Sequence, residues 1–560
     1  MNQPTRKLRL SAWRARLLLG RMLTALVCVG CLTGCRTVER TMLGLSRIKS
    51  PITINTPGLN HALTREELLQ AGIDPESRQP AGPTPTPGPG QEAGGTRFDD
   101  LSDLATERTK VFVCLSGGGA RAARMAAHTM ALLEQEYNAQ TGPAAKGQPL
   151  VEAIDAWSTV SGGSVYASYV AASALKSDAR EETFKNLANG RKVRWATQRL
   201  GAMAAVFYFW PGNMGYAPVM QLLTEWDTLN LFARTHAMFQ EGRLPILPTS
   251  GLRKLGELPR RPRFLFNATC LETGRPMIFT QALLHRDLSQ DPLERLAPDP
   301  LVYWAGGEQK AVRPNEQPLG FATTLEDLGS GPGRFPVAHA VFASAAFPGA
   351  FQPLLLHKFR PSTNAPPAAS RKPKPLWERH GIVTIVDGGI YDNTGLTTAL
   401  ELAAWLEAQG KPGRGAQRFV ILSVDANNET DAYKEPTAPA RVPWRLDVPV
   451  RGLLPAVSTF SRLYTKQQSL VRAALARRIA SLVASGSLEF YEVKLIDAVK
   501  NAADVRKIPT DFVMTDREDA ALKEAVAELL GHPRGGAEAK SLAAAFVGAV
   551  RAARPPKSGN

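Results

Sequence analysis

Ser116-Gly117-Gly118-Gly119-Ala120-Arg121 decides how this chain is read. An apolar run of strand composition, Val111 to Leu115, leads into it, and the Ala-rich stretch Ala120 to Glu136 leads out. The three glycines therefore fall on a strand-to-helix turn. Glycine has no Cβ to hold a ligand away, and N–H groups at the start of a helix face outward with the positive end of its dipole, so such a turn suits an anion. The same grammar recurs 40 residues after Arg121. Ile154 to Val160 reads as the strand, Ser164 to Leu175 as the helix, and Thr159-Val160-Ser161-Gly162-Gly163 as the turn that a nucleophile elbow requires.

A third segment completes a possible chemistry. Asp387-Gly388-Gly389 ends the apolar run Ile382 to Val386. Ester hydrolysis places negative charge on the carbonyl oxygen in the transition state, and the amides of Gly117, Gly118 and Gly119 are candidate donors to it; removing one such donor typically costs roughly a hundredfold to a thousandfold in turnover. Ser161 is a weak nucleophile until a base takes its proton. After Asp387 the only histidine is His532, in the polar turn Gly531-His532-Pro533-Arg534-Gly535; His128 sits on the helix after the glycines, His339 precedes the Ala-rich Val341 to Ala346, and His61, His236, His285, His357 and His380 lack a recognisable catalytic setting. Asp387, followed by two glycines that let another group approach, is placed to accept the serine proton directly. The residues thus point to an acyl hydrolase with a Ser161–Asp387 dyad, against two rivals: a triad enzyme using a histidine, and a non-catalytic lipid-binding or envelope scaffold of the same fold. A dinucleotide site is excluded by the spacing of the first motif and the distance to any ribose-binding acid.

Six segments in one order carry a family resemblance. Ser116 to Arg121, Thr159 to Gly163, Phe266-Asn267-Ala268-Thr269 through Gly274-Arg275-Pro276, Ala343-Ser344-Ala345-Ala346-Phe347-Pro348, Asp387 to Gly389, and Ile508-Pro509-Thr510-Asp511-Phe512 resemble the patatin-like phospholipases over about residues 108 to 530. The resemblance implies the Ser161–Asp387 dyad, an oxyanion hole at Gly117 to Gly119, and lipid acyl esters as substrates. Two positions depart from the family pattern: Thr159 replaces the first glycine of G-x-S-x-G, and Ala122 stands where a second glycine often follows the arginine. Arg121 has two roles open to it, contact with a lipid phosphate or support of the glycine loop.

Strand-like runs at Val111 to Leu115, Ile154 to Val160, Phe264 to Cys270, Ile382 to Val386 and Phe419 to Val424 alternate with helical patterns. This predicts a three-layer α/β fold whose mainly parallel sheet has helices on both faces. Met277 to Thr280 is expected to form a hairpin with Phe264 to Cys270. Insertions are expected at about 190 to 260, 285 to 330 and 358 to 378, the last a mobile basic loop carrying Lys358, Arg360, Arg371, Lys372 and Lys374. Gly201 to Trp210 reads as cover for an acyl-chain groove or as a buried helix. The C-terminal part is expected to be largely helical, with an amphipathic helix from Val457 to Ala484, a strand from Leu488 to Leu495 and a helix from Asp516 to Leu530.

The 560-residue chain carries a net charge of +16 and is 44% hydrophobic. Its first 34 residues hold six Lys/Arg and no acid, so the remainder carries 61 basic against 51 acidic residues, a net +10. That excess suits an anionic membrane surface or merely aids solubility, and the absence of arrayed basic and aromatic repeats speaks against nucleic acid. Arg6, Lys7, Arg9, Arg14, Arg16 and Arg21, the apolar run Met22 to Leu32, and Leu32-Thr33-Gly34-Cys35 form the pattern of a bacterial lipoprotein signal, with Cys35 as the lipidated residue. Arg36, rather than an acidic residue, follows Cys35, which by resemblance to sorted bacterial lipoproteins favours the outer membrane. The expected organisation is a signal peptide at 1–34, a lipid-anchored Pro/Gly-rich linker at 35–107, the hydrolase domain at 108–530, and a tail at 531–560. Cys114 and Cys270 remain as thiols, too few for a disulfide framework. No metal-ligand cluster or cofactor motif is present, so catalysis is expected to need neither.

Overall fold

The computed structural model describes residues 109–141, 149–173, 254–259, 261–282, 299–306, 318–333, 335–347, 353–361, 377–409, 417–427, 467–500, 502–508, 514–532 and 540–554, with single positions at 101, 104, 284 and 296. The signal segment, Cys35, nearly all of the linker, Gly201 to Trp210, and Arg371, Lys372 and Lys374 lie outside the described residues.

Strand β1 (Thr109–Leu115) shows why the molecule has three layers. Its side chains alternate between two separate cores, with Val111, Val113 and Leu115 in one and Phe112 and Cys114 in the other. A strand that buries both faces must be covered on both sides. Helices α1 (Gly119–Thr141), α2 (Gly162–Ser173), α3 (Val337–Ser344), α6 (Asp516–Gly531) and α7 (Leu542–Ala553) supply the first core. The second is supplied by α4 (Leu396–Ala408), α5 (467–484) and the short helix Pro300–Gly306.

The other strands are β2 (Ala156–Val160), β3 (Arg263–Cys270), β4 (Arg275–Thr280), β5 (Thr323–Thr324), β6 (Leu354–Pro361), β7 (Trp377–Asp387), β8 (Arg418–Asp425) and β9 (Leu488–Lys494). They form one nine-stranded sheet in the order β5-β4-β3-β2-β1-β8-β9, with β7 also paired to β3, and β6 to β7. Strands β3, β2, β1, β8 and β9 run parallel. The expected β3–β4 hairpin is present, antiparallel with Leu265 opposite Thr280. The mainly parallel three-layer α/β fold is as the sequence predicts.

Three boundaries differ. The expected basic loop begins inside a strand, for Lys358 lies in β6 opposite Gly381 and is only 8% exposed. The 285 to 330 region contributes edge strand β5 and a buried stretch through Phe321, Leu325 and Leu328, so its last part belongs to the sheet and core. The C-terminal tail is not a tail. Leu542, Phe546, Val547 and Val550 of α7 join the first core, and beyond the helix Arg554 binds Thr109 O at 3.1 Å and pairs with the buried Asp155. Its four-residue apolar repeat is the reason: α7 has one strongly hydrophobic face and nowhere else to bury it.

Candidate active site

The edge of β3 brings two distant strand ends together. β2 runs parallel to β3 as far as Val160 opposite Asn267. β7 takes over the same edge from the opposite direction, ending with Asp387 opposite Ala268. Two strands therefore meet head-on along one ladder, and the residue after β2, Ser161, faces the last residue of β7. The Ser161 hydroxyl lies beside the Asp387 carboxyl group and favours its charged form.

Ser161 has φ +49°, in the left-handed region. A side chain there is strained, and the strain persists because the surroundings over-determine it. Added Cβ atoms on Gly162 and Gly163 would fall 2.1 Å from Gly119 O and 2.7 Å from Leu115 Cβ and O, so only glycines let α2 start this close to the glycine loop. The Ser161 N–H donates to Ser344 Oγ at 3.0 Å. Thr159, the departure from the family pentapeptide, is accommodated by a hydroxyl contact of 2.9 Å with Ser164 Oγ.

Asp387 is 3% exposed. Burial pushes its carboxyl group from 3.8 up to about 7, against the opposing pull of the Gly389 N–H and the nearby Ser161 hydroxyl. The Gly389 N–H reaches Oδ1 at 2.7 Å and orients the carboxyl group, while the Asp387 N–H donates to Ala346 O at 3.0 Å. A base with a pKa near 7 is available at neutral pH and strong enough to draw a proton.

The glycine loop divides its duties. The Gly117 N–H donates to Asn393 O at 2.8 Å, so it does not face the site as the sequence led one to expect. Gly117 instead leaves room, since a Cβ there would lie 2.3 Å from Asn393 Oδ1 and 3.2 Å from Ser161 Cβ. Gly118 (φ +133°) and Gly119 (φ +60°) turn the chain into α1, and their N–H groups have no partner among the described residues. Arg121 is 3% exposed and donates to Ala426 O at 2.8 Å and Ile508 O at 2.6 Å, which ties the loop to β8 and the C-terminal part.

The histidines whose side chains are described lie elsewhere. His128 lies 3.0 Å from Asp519 in a clamp that includes Arg124 and joins α1 to α6, with burial lowering its pKa. His532 is about half exposed at the end of α6, near Glu528. His339 packs edge-on to Phe335, and His357 edge-on to Phe359. Among the described residues none is a partner of Ser161 or Asp387, and no cluster of three His, Cys, Asp or Glu could hold a metal.

Four supporting residues were not singled out by motif reading. Asn267 Nδ2 donates to Ser158 Oγ and Thr159 O, both at 3.0 Å, and its Oδ1 accepts from Thr398, so it locks the end of β2. Asn393 lies between Gly117 and Gly389. Gln468 of α5 donates to Gly389 O at 2.7 Å. Ser344 holds the Ser161 amide. The available signal was their place inside or just after the quoted motifs, except for Gln468, whose approach is purely tertiary.

Fold and geometry define an α/β protein with a serine at a strand-to-helix elbow beside a buried carboxyl group. The family model of the patatin-like phospholipases matches residues 113–400, and the chain belongs to that family. Membership supports hydrolysis of lipids. No curated protein matches the chain. Among solved structures, human GIVD cytosolic phospholipase A2 aligns at 16% identity over 63% of this chain and 49% of its own, with a TM-score of 0.25. The match spans about half the length of that protein, and at that score it carries no argument.

Proposed function

We propose that the protein is a lipid acyl hydrolase, a phospholipase or related esterase, working through a Ser161–Asp387 dyad. The observation that carries this reading is the head-on meeting of β2 and β7, which sets a strained elbow serine beside a buried carboxyl group. Ser161 Oγ attacks the ester carbonyl carbon while its proton passes to Asp387. The oxyanion of the tetrahedral intermediate accepts hydrogen bonds from the Gly118 and Gly119 amides. Collapse breaks the bond to the alcohol oxygen, which leaves with the proton from Asp387, and water then releases the acyl group by the same steps in reverse order of partners. Arg121 supports the loop rather than the substrate phosphate.

Lipidation of Cys35 would place the enzyme on the bacterial envelope, with the outer membrane favoured by Arg36, and membrane phospholipid as the substrate at hand. Among the described residues no helix is long and apolar enough to cross a membrane. The test is labelling by an alkyl fluorophosphonate together with turnover of a nitrophenyl ester. Wild type should be labelled and active, and Ser161→Ala neither. An unlabelled wild type would mark a lipid-binding scaffold, and an active Ser161→Ala would remove the nucleophile assignment. Cys35→Ala should release the protein from the membrane fraction; retention would end the anchor proposal.

A further inference from the structure

The end of α3 touches both members of the dyad. Ser344 Oγ accepts the Ser161 N–H at 3.0 Å, and two residues on, Ala346 O accepts the Asp387 N–H at 3.0 Å. We propose that Ser344 is a positioning residue, whose hydroxyl group sets the nucleophile elbow against the acid-bearing strand.

Hydrogen counting makes Ser344 the centre of a one-way chain. Its only hydroxyl proton goes to Asn267 O at 2.6 Å, a backbone carbonyl that has no proton to return. The 2.8 Å contact with Ser164 must then be donated by Ser164, and the 2.9 Å contact of Ser164 with Thr159 by Thr159. Ser344 Oγ thus gives one bond and accepts two, all within a site where Ser344, Ser164 and Thr159 are at most 1% exposed. The carbonyl it binds is also the one that Gly388 abuts, since a Cβ on Gly388 would lie 2.2 Å from Asn267 O. One oxygen atom is therefore connected to the backbone of the nucleophile and, through one carbonyl, to the turn that follows the acid.

Deleting it leaves the Ser161 N–H unpaired at a residue already at φ +49°, and a misplacement of about 1 Å in a reacting group is worth up to roughly a hundredfold in rate. Ser344 makes no contact with substrate in this reading, so the loss should fall on kcat and not on KM.

The inference rests on Ser161 being the nucleophile, and the experiment separates the two. In the full-length protein, kcat and KM for nitrophenyl butyrate are measured for Ser344→Ala, Ser344→Thr, Ser164→Ala and Ser161→Ala. Ser344→Ala should lose roughly tenfold to a hundredfold in kcat with KM within about twofold. Ser344→Thr, which keeps the hydroxyl group, should recover most of that loss, and Ser164→Ala, which leaves the bond to Ser161 intact, should stay within about threefold. If Ser344→Ala does not accumulate folded, Ser344→Cys fills the same space with a weak donor and should show the same kcat loss. Ser344→Ala at wild-type rate, or equal losses in the Ala and Thr variants, overturns the positioning role. Activity in Ser161→Ala overturns the nucleophile reading instead.

Discussion

Replacing Asp387 with asparagine should abolish turnover and, at alkaline pH, stabilise the fold. The carboxyl group moves from its ordinary 3.8 to about 7 because burial penalises its charge. The folded state therefore holds a proton over a window where the unfolded chain has released it. With the folded value raised, the stability this group contributes is complete below 3.8 and is lost as pH rises through 7. The rise from 3.8 to about 7 corresponds to about 4 kcal/mol across the whole window, of which about 3 kcal/mol falls between about pH 5 and about pH 9. Asparagine never ionises, its Oδ1 can still accept from Gly389, and its amide can face the Ser161 hydroxyl. Urea denaturation of wild type and Asp387→Asn at both pH values gives the double difference, in which other raised carboxyl groups such as Glu134 and Glu401 cancel. The variant should gain about 3 kcal/mol relative to wild type on going to the higher pH. A difference that stays constant between the two pH values would refute the burial argument.

Three further outcomes follow from the site and its supports. Gly118→Ala has room for its Cβ, whose nearest neighbours are 3.4 and 3.5 Å away, but not the φ of +133°, so the amide should turn from the site and kcat/KM should fall roughly a hundredfold, read by ester hydrolysis. Arg121→Lys cannot reach both Ala426 O and Ile508 O; initial rates should drop by the same factor on a phospholipid and on a neutral ester, and a loss confined to the phospholipid would restore the phosphate role. Asp519→Ala strands the buried Arg124 and should destabilise the fold by about 3 kcal/mol in urea melts at neutral pH. Its carboxyl group is held below the usual range by His128 and Arg124, so that contribution exists above the ordinary carboxylate pKa and fades as pH falls through the folded value.

What could be read in the sequence were features with local causes. The strand-turn-helix order around Gly117 to Gly119 and around Ser161 follows from apolar runs and glycines within a few residues, and Asp387 at a strand end from the run before it. Gly117 shows the boundary of such reading: a glycine triplet marks a turn, but which amide is engaged depends on Asn393, 276 positions away. β6 was missed because Leu354-Leu355-Leu356-His357-Lys358-Phe359 lacks clean alternation and its tip is basic; Lys358 is buried only through pairing with β7. α7 was missed for a different reason. Its apolar face, Leu542, Phe546, Val547 and Val550, is legible, but the Gly-rich stretch before it reads as an ending, and only its packing on α1 makes it part of the domain.

In the proposed dyad, the head-on meeting of β2 and β7 would let two side chains suffice. In a triad, the imidazole supplies basicity near neutral pH and a third residue orients it. Here both tasks have other sources. Orientation comes from the strand that carries Asp387 and from the Gly389 N–H bond to its carboxyl group, neither of which can swing as a loop histidine can. Basicity comes from burial, which raises an aspartate of ordinary pKa 3.8 to about 7, the range an imidazole occupies without help. The same desolvation destabilises the ionised fold. A carboxylate made basic by burial is therefore coupled to stability in a way that a solvent-facing histidine is not, and by the pH at which the proposed dyad gains its charge the fold has lost this contribution.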